Sequence, residues 1–192
     1  MTANLTVCFV LLYALAPSGD AAPAGGPDTA GLERAVTEAE AGFKKGSVSE
    51  ADLDAAREQL ADARLRAATA KENAPAAMVE LKRIADIRSR AVDRTRAALA
   101  FGAASAADLD AAQERLTKTQ LRIARARGNA KDIIRHLTTL LQKAGARLER
   151  TKRLFRIGMA AKDDVAAAEK AQRQAGEDLS AAQRALRQGG SP

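Results

Sequence analysis

The residues able to do chemistry are few in this chain. It has one His, one Cys and no Trp among 192 residues. His136 stands between Arg135 and Leu137 in a helical stretch, with no second His or Cys to share a metal ion. General acid–base work needs an oriented partner in a pocket, so His136 reads as a structural, half-exposed side chain. The carboxylate pairs Asp52/Asp54 and Asp108/Asp110 have the residue type for acid–base catalysis or for calcium. At i, i+2 on a helix, however, the two members point to different faces, and the flanking loops lack the spaced oxygens of a calcium site. They read as caps and as charges favoured by a helix N-terminus. Gly25-Gly26 and Gly189-Gly190 lack phosphate-loop spacing, and the serines form no Ser/His/Asp set. The expectation is a chain with no catalytic or metal site, no cofactor and no small-molecule substrate.

Cations are the more promising group. The formal net charge is +7, yet Arg122 to Gly158 holds eleven Lys or Arg against only Asp132 and Glu149. Lys131, Arg135, Lys143, Arg147, Arg150, Lys152, Arg153 and Arg156 form the candidate interaction surface. A basic helix of this kind meets an anionic membrane or polymer, or else packs its apolar seam on neighbouring helices and leaves its charges in water. Nucleic acid is a poorer fit, because aromatic stacking residues make up only 3% of the chain.

What must position these residues is a repeat. KKGSVSEADLDAA (44–56) returns as AFGAASAADLDAA (100–112) and, more altered, as RIGMAAKDDVAAA (156–168). Gly46, Gly102 and Gly158 are each 56 residues apart, which is eight heptads, so equivalent positions keep one phase. The glycine supplies the left-handed residue that ends a helix. Ser49 or Ser105 then caps the next helix, with Asp52 or Asp108 three residues on, a capping-box layout that Ala161 weakens in the third copy. Asn73, before Pro75, and Asn129, after Gly128, mark a second turn in each repeat.

Between turns the apolar residues step by three and four. Leu53, Ala56, Leu60, Ala63, Ala67 and Ala70 are matched by Leu109, Ala112, Leu116, Thr119, Ile123 and Ala126. The third copy is Val165, Ala168, Gln172, Ala175, Leu179, Ala182 and Leu186. A second seam precedes each glycine, as Leu81, Ala85, Arg88, Val92, Thr95 and Leu99, as Leu137, Leu141, Ala144, Leu148, Thr151 and Phe155, and as Val36, Ala39 and Phe43 in the truncated first copy. This a/d pattern of small residues allows close helix approach. No segment alternates as a strand does. The expected fold is all-α, with helices near 31–45, 49–72, 75–101, 105–127, 130–157 and 161–187. They form three antiparallel hairpins, arranged as a coiled-coil bundle or a short α-solenoid.

Residues 1–22 read as a signal peptide, since Leu5–Ala16 is an apolar run too short for a comfortable span and is followed by small residues. Uncleaved, the same segment would act as an anchor. Residues 23–30 read as a flexible linker, 31–187 as the helical repeat domain and 188–192 as a flexible tail. Cys8, the single cysteine, lies in the apolar run, so a chain cut after the signal would hold none, and no disulfide forms within the chain in either case.

The turn phrase Leu154-Phe155-x-x-Gly158, with its Asp-Leu/Val-x-x-Ala continuation, resembles the helical hairpins of TolC-like outer-membrane efflux proteins. It is also similar to the coiled-coil hairpins of the periplasmic adaptors that pair with them. The resemblance implies an exported, periplasmic coiled-coil protein beside an efflux or envelope assembly. This chain departs from both groups, having neither alternating strands for a barrel nor a β-rich flanking domain. The functional expectation is therefore a non-enzymatic protein that docks on another helical protein or on itself. The alternative is peripheral binding to an anionic membrane or polymer through helix 130–157.

Overall fold

The computed structural model describes residues 29–188. Among them are six α-helices and no strand: α1 Thr29–Lys44, α2 Glu50–Ala70, α3 Ala74–Ala100, α4 Ala106–Ala126, α5 Ala130–Arg156 and α6 Lys162–Arg187. The all-α architecture and each helix boundary agree with the periodicity to within two residues. The signal segment, most of the linker and residues 189–192 lie outside the described residues. The described chain forms two compact units, 29–119 and 120–188, whose boundary falls inside α4.

Within each unit the packed neighbours run antiparallel, α1 on α2 and α2 on α3 in the first and α5 on α6 in the second, as the contacts between them record. Glu33 and Glu40 of α1 pair with Arg64 and Arg57 of α2, so one number rises as the other falls. Glu50, Asp54 and Glu58 of α2 meet Arg94, Arg90 and Arg88 of α3 in the same reversed order. In the second unit, Lys152 of α5 reaches Glu169 of α6 at 3.5 Å. Near the other end, Leu141 of α5 lies beside Gly176 of α6.

The reversals share one chemistry. Gly46, Glu72, Gly102, Gly128 and Gly158 all have positive φ, between 53° and 74°. The amide after each bonds to a carbonyl five residues back: Ser47 to Gly42, Asn73 to Ala68, Ala103 to Ala98, Asn129 to Ala124 and Met159 to Leu154, at 2.8–3.0 Å. That is the Schellman motif, which satisfies the last carbonyls of the helix. The glycine and asparagine turns are thus a single motif. Glu72 occupies the left-handed place that Gly128 fills in the next repeat.

Caps then restart the helices. The amide of Asp52 donates to Ser49 Oγ at 3.1 Å, that of Ala76 to Asn73 Oδ1 at 3.1 Å and that of Asp132 to Asn129 Oδ1 at 3.1 Å. Ser105 and Asp108 make a complete box, with the Asp108 amide on Ser105 Oγ and the Ser105 amide on Asp108 Oδ2. The Ser105 hydroxyl, with help from its amide, holds the Asp108 carboxyl below its usual range. At α6 only half of the box exists. The Ala161 amide donates to Asp164 Oδ2 at 2.8 Å, but alanine has no oxygen to return the bond.

The core lies where helices have neighbours on two sides. α2 packs on α1 and on α3, and it buries Leu53, Leu60, Ala61, Ala63, Leu65 and Ala68. The a/d seam contains Leu53, Leu60 and Ala63 but not the second face, Ala61, Leu65 and Ala68. One heptad seam describes one interface, and a helix between two others needs two. α3 likewise buries Ile84 and Ile87 besides the seam residues Leu81 and Val92. The buried alanines bring helix axes close, and each buried Leu or Ile contributes about 1.5–3 kcal/mol.

Candidate functional site

In the unit 29–119, charged side chains run through the helix interface as well as over its surface. Asp54, only 3% exposed, takes a hydrogen bond from Arg90 Nη2 at 2.8 Å and another from Arg94 Nη1 at 2.7 Å. Burial pushes the Asp54 carboxyl up, and the two guanidiniums outweigh it, so the group stays ionised below the usual range. Arg94 also reaches Glu50 at 3.2 Å. One turn pair further along, Arg88 donates Nε and Nη2 to Glu58 Oε1 at 2.9 and 2.7 Å. Its Nη1 bonds Thr119 Oγ1 at 2.6 Å and the Arg115 carbonyl at 3.3 Å. Arg88 therefore ties α2, α3 and α4 together at a seam position that the periodicity assigns to the core. Thr119, with 0% exposure, is its buried partner. Among the described residues no buried side-chain N or O atom lacks a hydrogen-bond partner.

An open groove of about 550 Å³ lies where α1 crosses α2 and α3, lined by Glu40, Phe43, Lys44, Glu50, Leu53, Asp54, Arg57 and Arg90. Four of its six charged groups are engaged with one another. Arg57 pairs with Glu40 at 2.8 Å and Arg90 with Asp54. The groove offers an apolar lip, Phe43 at 45% exposure, above a neutralised floor. Asp52, of the same sequence pair as Asp54, works instead at the cap of α2, accepting from the Ser49 hydroxyl at 2.6 Å. The two aspartates thus serve different faces, as their spacing requires. No group of three or more His, Cys, Asp or Glu side chains is placed to hold a metal ion among the described residues.

No known family, curated protein or solved structure matches the chain.

The eight basic residues of α5 do not form one surface. At 100° per residue, Lys131, Arg135, Lys152, Arg153 and Arg156 share one side of the helix, and Lys143, Arg147 and Arg150 share another. The members of the second group each have an interaction partner. On the first side, Arg135 pairs with Asp132 at 2.9 Å and Lys152 with Glu169 at 3.5 Å. Lys131, Arg153 and Arg156 are exposed and carry no ion pair among the described residues. They sit at opposite ends of α5, with exposed Gln142, Ala146 and Glu149 between. His136 is half-buried, and burial together with the Arg135 charge lowers its pKa against the pull of Asp132. In the same unit, burial lowers the pKa of Arg125 while the Asp178 charge opposes it.

Exposed large apolar side chains collect at the turns. Phe43, Phe101, Phe155, Ile157 and Met159 all lie within three residues of a turn glycine. The heptad seam counts Phe43 and Phe155 as packed, but both lie in the last turn of a helix, past the point where a neighbour covers it, and they stay 45% and 46% exposed. Phe101, Ile157 and Met159 lie beyond the helix ends, where a heptad count stops. The signal was nonetheless in the sequence, as large apolar residues written beside glycines in turns.

Proposed function

We propose that this is a non-enzymatic, exported helical-repeat protein that works by docking its terminal helices onto another helical protein of an envelope assembly. The observation that carries this reading is the contrast in burial along the array. The inner helices α2 and α3 bury seven and six residues, whereas α1 beside them buries none; in the unit 120–188, α5 buries Leu137 and Leu148 and α6 only Ala168. Leu32 and Val36 of α1 stay half-exposed, and Ala167, Ala171, Ala181 and Ala185 line an exposed face of α6. A helix 16 or 26 residues long that packs on one neighbour and buries so little keeps apolar surface for a further partner. Small side chains on α6 let a partner helix approach closely. The likeness of the glycine turns to envelope hairpins supports the setting.

The test is site-specific photo-crosslinking in the envelope of the source cell. A crosslinker replacing Val36 or Ala171 is expected to trap one discrete helical partner or a second copy of the chain. The same crosslinker at Lys82, exposed on the inner helix α3, is expected to trap nothing comparable. Equal crosslinking from all three positions, or none from the terminal helices, would defeat the proposal.

A further inference from the structure

We infer that the turn joining α5 and α6 is a membrane-contact tip that enters the headgroup region of a bilayer carrying anionic lipid. This inference is independent of the helix-docking proposal and uses a different part of the molecule.

Three observations meet at this turn. The first is apolar projection. Ile157 is 67% exposed, Met159 72% and Phe155 46%, so three large apolar side chains stand in water within five residues. The turns at Gly46 and Gly102 each carry a single large one, Phe43 and Phe101. Exposure of this kind on a compact unit marks an interaction site.

The second is charge. Arg153 and Arg156, on the last turn of α5, are exposed and carry no ion pair among the described residues. A guanidinium pair beside an apolar tip matches a bilayer surface, with acyl chains below and lipid phosphates and carboxylates above. The nearby acids, Asp163 and Asp164, lie beyond Met159 in the first turn of α6, and Asp164 is engaged by the Ala161 amide. The turn at Gly102 has no cation from Ala97 to Glu114. The turn at Gly46 has Lys44 and Lys45 but only Phe43 as its large apolar group.

The third is the backbone. Insertion of a loop fails when its amides leave water unpaired. Here the amides of Ile157, Gly158 and Met159 bond to Leu154, Phe155 and Leu154 carbonyls at 3.2, 3.0 and 2.8 Å. The Schellman motif that closes α5 also removes the donors that would resist transfer into the headgroup layer.

The chain has no Trp, so a single introduced Trp reports its own surroundings. The full-length Ile157→Trp variant is mixed with vesicles of phosphatidylglycerol and phosphatidylcholine, and separately with phosphatidylcholine alone. The expected result is a blue shift and quenching by brominated acyl chains with the anionic vesicles, reversed by high salt. Adding Arg153→Glu and Arg156→Glu is expected to weaken partitioning at least about tenfold, since each cation near the surface counts for about a factor of five. Phe101→Trp, at the other exposed turn, is expected to keep the emission of Trp in water. Unshifted emission from the Ile157→Trp variant would overturn the inference even if the protein sediments with vesicles through another segment. So would an equal shift on neutral vesicles, or an equal shift from the Phe101→Trp variant.

Discussion

Asp54 is the residue at which the unit 29–119 is most exposed to a single change. Its carboxylate is buried and shared by Arg90 and Arg94, whose side chains are 44% and 30% exposed. Removing one partner of a fully buried pair typically costs about 3–5 kcal/mol. Both arginines can turn to water, so Asp54→Asn is expected to cost less, about 2–3 kcal/mol at pH 7 in urea unfolding. The pH dependence has a definite sign. The carboxyl is held below its ordinary value of 3.8, so its contribution is present above that value and lost as pH falls through the folded one. The unmodified chain is expected to lose stability steeply below pH 4, and Asp54→Asn to lack that part of the loss. Parallel acid limbs for the two proteins would refute the assignment. Glu72 offers the opposite test. It holds φ 53° where its repeat mate is Gly128, so Glu72→Gly is expected to stabilise by about 0.5–1 kcal/mol, read as a higher urea midpoint. A lower midpoint would mean that the Glu72 side chain contributes more than its backbone loses. These two residues also mark the limit of the sequence. Asp54 was legible as a helix-start acid but not as a buried pair, because burial depends on which helix crosses above it. Glu72 carried no turn signal, since nothing in a glutamate announces a left-handed backbone.

At the scale of the element, the chain repeats a sentence with one word changed. Ser105 and Asp108 exchange both capping bonds at the start of α4, and Ala161 with Asp164 makes one of the two at α6. Ala161 has φ −84° and ψ 162°, the extended conformation in which a serine cap works. Ala161→Ser is expected to complete the box and stabilise the unit 120–188 by about 1 kcal/mol, seen as a raised thermal midpoint. Ala161→Gly, which restores no oxygen, is expected to leave the midpoint unchanged or lower, so a gain from glycine equal to that from serine would contradict the capping account. The helices themselves were legible because Pro is nearly absent from the array and the three-four stepping is uninterrupted. Their second faces were not. Ala61, Leu65 and Ala68 of α2 become core only because α2 has both α1 and α3 beside it. Arg88 stood in the seam as an apparent fault. It is instead a polar joint, with Glu58 and Thr119 supplying the acceptors that make its burial tolerable.

Across the whole molecule, burial is distributed unevenly, and that fixes the order in which parts of it open. Among the described residues, eleven of the sixteen buried apolar side chains belong to the unit 29–119, all of them on α2 and α3, and five belong to 120–188. Local opening free energy follows buried apolar contact, so amide protection should peak around Ile84 and its neighbours and fall toward α1 and α6. Native-state hydrogen exchange is expected to show α6 and α1 exchanging through openings that leave α2 and α3 closed, with only the latter approaching the global unfolding free energy. Uniform protection along all six helices would mean that the terminal helices are held as firmly as the inner ones. That result would also remove the physical basis for docking through them, since a partner stabilises most where the free chain has the least to lose. Exchange repeated with an excess of the crosslinked partner then separates the two surfaces. Protection gained on α1 or α6 belongs to helix docking, and protection gained by anionic vesicles at residues 155–159 belongs to the membrane tip.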